Sequence, residues 1–343
     1  VGVLPKDIKD TMEGKADNVA RLWDAALEKS GLSKVDMNIG VANVLVVKDK
    51  GDLDSMKKAA VMSNKVMKHG FVKQMEKIFE DEKLNSTHTE VATHLEEIME
   101  DPSKIGIKVP KDTIESCFFP IVQSNGKYSI KPTAQTDEGQ LSEDVVICCL
   151  GARFKSYCAN IARTFCIDPV PKVEKTYGVV FKLFHECLAV MQPGEPLVLV
   201  HRRAKDFLSQ KHEGLLKHMP KSLGFGLGLT FRDTVYSLTG KVDPSLKFKP
   251  GMVFNLAVGL QDVPLGPGDV NRAKGSIKKM DKFSILIADT VVIKEDGVAE
   301  VLTKISKTWN DASYFIKEDS GEAAEDSDSE GGDEETGTTV KTS

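Results

Sequence analysis

The stretch that decides the fold is VVICCLGARFKSYCANIARTF, residues 145–165. Its first six residues form an almost continuous apolar run, which is typical of a strand buried on both faces. A Gly-Ala-Arg turn follows, and from Tyr157 onward the residues alternate in character, which predicts a second strand. One face of that strand carries Cys158, Asn160, Ala162, Thr164 and Cys166. Spacing alone favours an ordinary two-sided hairpin, whereas this small and partly polar face favours the wall of a pocket.

The overall composition is that of a globular protein, because 41% of the 343 residues are apolar and 28% are charged. A chain of this length can bury one large core or two moderate ones. No apolar run approaches the roughly 20 residues of a membrane helix, and no secretory signal opens the sequence. Since the first residue is Val1 rather than methionine, we expect a piece of a longer protein.

Charge is distributed unevenly along the chain. Ten Asp or Glu residues and no Lys or Arg lie between Glu318 and Glu335, and without those ten the net charge of −5 becomes +5. Such an acidic segment can bury too little apolar surface to fold. It is either a solvated linker or a docking strip for basic partners, whose encounter rates such fields raise.

The six cysteines include one adjacent pair and form no Cys-x-x-Cys motif. They stand at positions 117, 148, 149, 158, 166 and 187, mostly in apolar, strand-like patterns. This arrangement favours reduced thiols in the core of an intracellular protein over a disulfide framework or a zinc site.

Hydrophobic periodicity predicts an α+β fold. Helices are expected at 17–30, 53–82, 89–100, 171–191 and 196–218, with Ser86 as a cap for the third. Further strands are expected at 37–47, 117–122, 252–259, 283–293 and 298–302. Helices placed between sets of strands indicate a mainly antiparallel sheet with helices covering one face.

The glycine-rich run LGFGLGLTFRD at 223–233 needs separate consideration, because a dinucleotide site is built on Gly-x-Gly-x-x-Gly between a strand and a helix. Here the glycines alternate at 224, 226 and 228, after a predicted helix and before a strand-like run. The context therefore disfavours nucleotide binding. Alternating glycines instead allow the backbone to pass close to another strand.

Four segments of the chain resemble, in order, the metal-site segments of the pita-bread peptidases, the group of methionine aminopeptidase, aminopeptidase P and creatinase. These segments are LGARFKSYCANIARTF, LGFGLGLTFRD, KPGMVFNLAVGL and ILIADTVVI. Over almost the whole length, phrases such as FKSYCANIARTF, KKAA and GDLDSM are similar to the N-terminal domain of the large subunits of FACT histone chaperones. The acidic run after Lys317 is similar to the linker that follows that domain.

The resemblance implies a pita-bread (creatinase/methionine-aminopeptidase-like) fold and a division into three parts. Residues 1–50 would be the C-terminal part of a first lobe, 51–308 the peptidase-like domain, and 309–343 an acidic disordered tail.

The family holds two metal ions with two Asp, one His and two Glu, because paired divalent metals need several anionic oxygens. In this sequence the five matching positions are Cys149, Asn160, Phe225, Ala257 and Ala288. The family's catalytic His is matched by Arg232, followed by Asp233 where a Glu commonly stands. The resemblance therefore implies a peptidase fold with no catalytic residue, no metal and no cofactor.

These seven positions form a candidate peptide pocket, since a cleft shaped for extended peptides remains when the chemistry is lost. Removing the carboxylates together with the cations avoids buried like charges. We expect a neutral, packed pocket floor with Arg232 as the remaining charge near the rim. Asp233 is its nearest candidate partner in sequence, although consecutive strand residues point to opposite faces, which leaves another acid as the alternative.

The function that the resemblance implies is that of an inactive peptidase-like module of a histone chaperone. Such a module would bind core histones and reorganise nucleosomes during transcription, replication and repair, in the nucleus and on chromosomes. An HMG-box small subunit would be bound through other domains, and no membrane would be involved. The alternative is an active metallo-aminopeptidase with divergent ligands.

Overall fold

The computed structural model describes residues 1–3, 19–80, 85–110, 113–266, 269 and 280–315. Its helices are α1 (Val19–Lys29), α2 (Asn38–Leu45), α3 (Lys50–Lys65), α4 (Lys73–Glu80), α5 (His88–Glu100), α6 (Pro171–Ala189), α7 (Val198–Lys211), α8 (Glu213–Leu216) and α9 (Trp309–Ala312). A π-helical segment, Val66–Val72, joins α3 to α4, and a 3₁₀ turn lies at Pro102–Ile105. The acidic segment at 318–335 lies outside the described residues.

The strands are β1 (Gly2–Val3), β2 (Val35–Asp36), β3 (Ile114–Ser116), β4 (Ile121–Gln123), β5 (Val145–Leu150), β6 (Ala152–Phe154), β7 (Tyr157–Cys158), β8 (Ile161–Ile167), β9 (Ser222–Gly226), β10 (Asp233–Thr239), β11 (Val253–Pro264), β12 (Lys282–Val292), β13 (Glu300–Val301) and β14 (Ser313–Tyr314).

One large sheet organises the molecule, with the strand order β10-β9-β11-β12-β8-β5-β4. Two short strands complete it, β13 beside β12 and β14 beside β8. All these pairings are antiparallel except that of β14 with β8. The predicted α+β class with a mainly antiparallel sheet is confirmed.

Two groups of helices cover the sheet. Helix α6 packs against β11 and β12, and α7 packs against α6. The second group contains α3, the π-helical segment and α4. Phe71 of the π-helical segment contacts Phe165 of β8, with ring centroids 5.4 Å apart. The helices thus fix the curvature of the sheet from outside and leave its other face to form the site.

The stretch at 145–165 is not the simple hairpin that its spacing favours. Strands β5 and β8 pair antiparallel, from Val145 opposite Cys166 to Leu150 opposite Ile161. Between them the predicted Gly-Ala-Arg turn instead enters β6, which pairs with β3 and β7 in a separate three-stranded sheet. The chain crosses itself tightly here, since a Cβ on Gly151 would lie 2.6 Å from the carbonyl oxygen of Ala159.

Other predicted elements are corrected in their type or bounds. Residues 37–47 were predicted as a strand but form helix α2, because a short apolar run fits either structure and here only one face packs. Tyr236 on β10 donates its hydroxyl hydrogen to Asn43 Oδ1 and fastens this helix to the sheet. The helix predicted at 196–218 is interrupted at His212. The strand predicted at 117–122 is formed only at its end, where β4 begins at Ile121, and β3 lies just before it at Ile114–Ser116.

Helix α5 begins at His88, one residue earlier than predicted, and its cap is Thr87 rather than Ser86. Its first residue, His88, is buried and bonded on both ring nitrogens, to Asp137 Oδ1 at 2.6 Å and to Ser124 Oγ at 2.7 Å. Ser124 is fully buried and its oxygen also accepts the Ser142 amide hydrogen. Ser124 and His88 are closed to solvent whereas Asp137 is exposed, and the three residues tie α5 to the turn after β4.

No helix in the described ranges is long and apolar enough to cross a membrane.

Gly224 tests the predicted close approach of two backbones. It has φ +143°, and a Cβ there would collide with the carbonyl oxygen of Asn255 on β11. We therefore expect Gly224→Ala to lower the free energy of unfolding by about 3 kcal/mol or more, through overpacking and backbone strain. Urea denaturation measures this loss.

The matched control is Gly178→Ala on α6, where a Cβ meets nothing within 4 Å. That variant should be stabilised by up to about 1 kcal/mol, because alanine is the better helix former. Equal effects of the two substitutions would contradict the close approach.

Candidate functional site

Three of the five positions that match metal ligands form one row across the sheet. Cys149 on β5 lies opposite Ala162 on β8, Ala162 lies opposite Ala288 on β12, and Ala288 lies opposite Ala257 on β11. Directly opposed residues in a sheet point to the same face. The row is therefore a strip of small side chains along one face.

Asn160 precedes this row by two residues, so its side chain belongs to the same face. Its Nδ2 donates to Asn255 Oδ1 at 3.0 Å, and its main-chain N–H donates to Thr290 Oγ1 at 2.8 Å. The Thr290 hydroxyl in turn donates to the Asn160 carbonyl oxygen at 2.9 Å. Asn160 is only 5% exposed, and its Oδ1 is buried without a hydrogen-bond partner among the described residues. A neutral amide network occupies this part of the site.

Phe225 fills the space beside that network. It lies opposite Asn255 in the pairing of β9 with β11, is 3% exposed, and meets Phe231 edge to face with centroids 5.5 Å apart. The guanidinium carbon of Arg232 lies 6.0 Å from the centre of the Phe225 ring. The structure thus brings Arg232 to the site as an exposed cation above an aromatic face, a favourable arrangement.

Asp233 does not act as the partner of Arg232. Its Oδ1 accepts the amide hydrogens of Val235 at 2.9 Å and Tyr236 at 3.3 Å, which starts strand β10. No acid in the described part of the chain forms an ion pair with Arg232. Of the two alternatives that the sequence left open, Asp233 is not the partner, because its short side chain bonds its own backbone.

The site is nearly free of charge at its floor. Burial raises the pKa of the Cys149 thiol to about 12, so this group is neutral at physiological pH. Asn, Phe and Ala carry no charge at the other four positions. Across the ranges given above, no three His, Cys, Asp or Glu side chains lie together as a metal site would require.

Sequence reasoning missed a buried ion pair on the opposite face of the same strands. Arg163 Nη2 lies 2.7 Å from Asp289 Oδ1, and both side chains are almost fully buried. Arg163 Nη1 also donates to the carbonyl oxygens of Ala162 and Ala288, at 2.8 and 2.9 Å. This pair locks β8 to β12 directly behind the row of small residues. The alternation of β8 places Arg163 on that face, but nothing in the sequence identified Asp289 as its partner.

A second missed residue is Lys48, which lines a cavity of about 330 Å³ beside Arg232. Lys48 is 8% exposed, and its ammonium group donates to the Val46 carbonyl oxygen at 2.8 Å. Burial lowers its pKa to about 8, against the opposing effects of Asp233 and Asp52. Lys48 follows an apolar run directly, and no local signal distinguishes a buried lysine from an exposed one.

The low pKa of Lys48 gives a pH-dependent prediction. Below pH 8 Lys48 is charged in the folded protein, and the free-energy cost of burying that charge is fully present. Between pH 8 and the ordinary pKa of 10.5 the unfolded chain binds more protons than the folded one. The cost to stability therefore falls as the pH rises through this range. Lys48→Met should therefore raise the free energy of unfolding at pH 7, by at most about 3 kcal/mol, with a smaller gain at pH 10.

Thermal or urea unfolding at the two pH values measures the difference. Lys57→Met on the exposed side of α3 is the control and should change stability little at either pH. A gain for Lys48→Met that does not depend on pH would contradict the burial of its charge.

The curled antiparallel sheet with helices outside and the row of matched positions inside define a class of proteins. A family model for "Metallopeptidase family M24" matches residues 54–295, and the chain belongs to that family. The likeness extends to the solved X-Pro aminopeptidase of Thermotoga maritima, with a TM-score of 0.64 at 22% identity over 86% of this chain and 72% of that one. At this identity the match shows the fold alone.

Within that fold, the resemblance to one domain is confirmed. The N-terminal domain of FACT complex subunit SPT16 from Cicer arietinum has a TM-score of 0.79 and 29% identity, over 90% of this chain and 73% of that one. Among full-length relatives, FACT complex subunit SPT16 of Zea mays is 32% identical over 314 residues, and that of Arabidopsis thaliana is 32% identical over 317. These matches cover 91% and 92% of this chain but only 28% of each relative.

Proposed function

We propose that this chain is a catalytically inactive, peptidase-like module of a histone chaperone. In this proposal it binds core histones, helps to reorganise nucleosomes during transcription, replication and repair, and works in the nucleus on chromosomes. The support is its similarity, over nine-tenths of its length, to the N-terminal domain of FACT complex subunit SPT16. An HMG-box small subunit would be bound through parts of a longer protein.

The division of the chain belongs to the same proposal. Residues 1–50 would be the end of a first lobe and 51–308 the peptidase-like domain, which contains the whole family match at 54–295. The acidic tail would begin after Phe315 rather than at 309, because Trp309–Ala312 forms α9 and Ser313–Tyr314 forms β14 beside β8 in the large sheet.

The chemistry at the matched positions supports the loss of peptidase activity. A dinuclear site activates water only when several anionic oxygens hold both ions. The side chains of Ala257 and Ala288 have no ligand atom, and the position that the resemblance matches to a ligand histidine carries the buried ring of Phe225. The Asn160 Nδ2 group donates to Asn255, and its Oδ1 is a single neutral oxygen in place of an anionic one.

The alternative is an active metallo-aminopeptidase with divergent ligands. Two measurements distinguish it from this proposal: the metal content of the purified chain and its hydrolysis of short peptides. The purified chain should hold less than stoichiometric metal and should not cleave short peptides. Ala257→Glu should also be inactive, because one carboxylate cannot assemble a dinuclear site. Chelator-sensitive cleavage by the unmodified chain would overturn the proposal.

Ala257→Gln serves as the neutral control of the same size. Ala257 is half-buried opposite Ala288, so the glutamate introduces an unpaired charge that the glutamine does not. The glutamate variant should therefore be the less stable of the two at pH 7, and their stabilities should converge as the carboxyl protonates below about pH 4.

The acidic segment at 318–335 provides a test of histone binding. If its ten carboxylates attract basic histones, its deletion should weaken affinity for histone dimers strongly at low salt and little at high salt, because salt screens exposed charges. Fluorescence titration at 50 and 500 mM salt measures this.

A variant of the same length with Asn and Gln in place of the ten acids separates charge from length. It should behave like the deletion. Equal affinities of all three proteins at low salt would reduce the segment to a linker.

A further inference from the structure

The cavity beside Arg232 is lined by none of the residues in the row of small side chains formed by Cys149, Ala162, Ala288 and Ala257. Helix α2 forms one wall, and the turn from β9 into β10 forms the other, with Lys48 between them. Its lining consists of Asn38, Val41, Ala42, Leu45, Lys48, residues 227–230 and residues 232–235. We propose that this cavity binds the C-terminal carboxylate of a peptide whose last residue is apolar.

The charged residues of the cavity lining favour binding of an anion. Lys48 is over nine-tenths buried and bonds only a main-chain oxygen, and Arg232 has no acidic partner among the residues described. Asp233 is the single acid of the lining, and two backbone N–H groups already hold its Oδ1. The lining therefore has a net charge of +1, which matches the single charge of a carboxylate.

Asp52, the other acid that acts on Lys48, does not neutralise the cavity. It lies outside the lining, where its carboxylate accepts the Asp49 amide hydrogen at the start of α3 and the Tyr157 hydroxyl hydrogen. Each of its two oxygens therefore already has a donor within the protein.

The position of the Lys48 ammonium is fixed by the backbone facing it. A Cβ on Gly228 would lie 2.9 Å from Lys48 Cε and 3.0 Å from Nζ. Glycine at this position therefore leaves room for the ammonium group against the β9–β10 turn. A buried lysine with a lowered pKa also reduces stability, and such groups concentrate at functional sites.

Shape and apolar surface distinguish a peptide end from a simple anion. Val41, Leu45, Leu227 and Leu229 surround the charged groups, and the volume of about 330 Å³ suits one or two residues. The guanidinium of Arg232 presents a planar pair of donors that fits a carboxylate. Strand β10 is the terminal strand of the described sheet, so its outer side is free of strand pairing beside the cavity.

This inference deepens the proposed function by naming a feature of the peptides that the module would bind. The probe is acetyl-Gly-Gly-Ala-Leu with a free carboxylate, compared with the same peptide as its C-terminal amide, by calorimetry at low salt. The acid should bind at least about tenfold more tightly than the amide, because the amide cannot pair with Lys48 and Arg232.

Lys48→Met and Arg232→Gln should each weaken binding of the acid by about tenfold or more and leave the amide unchanged. Gly228→Ala should weaken it by displacing the Lys48 ammonium, whereas Lys57→Met should have no effect. Circular dichroism shows whether each variant is folded, and Lys48→Met is expected to be at least as stable as the parent.

Equal affinities of acid and amide, or undiminished binding by folded Lys48→Met, would overturn the site. N-acetyl-leucine binding as tightly as the tetrapeptide, or inorganic phosphate displacing it at equal concentration, would overturn the peptide assignment. Histone-dimer binding by the parent chain is measured separately. If the parent chain does not bind histone dimers, the proposed function is wrong, whereas the measured binding of the peptide carboxylate remains valid.

Discussion

The buried ion pair of Arg163 and Asp289 is the interaction on which the site depends. Besides joining β8 to β12, Arg163 donates to the Ile305 carbonyl oxygen at 2.9 Å, and Asp289 accepts from the Thr303 hydroxyl at 2.7 Å and lies 3.1 Å from the Lys307 ammonium. One network thus holds two central strands and the segment after β13. Because a charge left alone in such a place is costly, removal of either residue alone is expected to destabilise the fold strongly.

With the strands locked from behind, the opposite face tolerates very small side chains. Ala162, Ala288 and Ala257 contribute no polar atoms beyond their backbone, which bonds in the strand pairings and, at the Ala162 and Ala288 carbonyl oxygens, to Arg163. The polar groups that remain, Asn160 and Thr290, bond each other. Strand position is therefore set by the ladder and the ion pair, whereas in a metal site the bound ions would contribute to it.

The sequence predicted the parts of this arrangement that repeat locally. Alternation along β8 placed Asn160 and Ala162 on one face, and the alternating glycines indicated the close passage of Gly224 by β11. It could not predict that residues 37–47 form a helix, because an apolar run of that length fits both structures and tertiary packing decides. The burial of Lys48 and of Asp289 could not be predicted for a related reason. Whether a charged side chain is buried depends on elements distant in sequence, such as the β9–β10 turn and β8.

The cysteines of the core offer a built-in reporter of unfolding. Cys148, Cys149, Cys166 and Cys187 are buried, and burial raises the pKa of Cys149 and Cys187 to about 12. Thiolate is the form that maleimides and disulfide reagents attack, so these groups react only when the sheet opens. Cys158 differs, since Cys117 and Arg153 lower its pKa to about 7. The rate at which a thiol reagent modifies the chain would therefore separate local opening near Cys158 from separation of the central strands, without any added label.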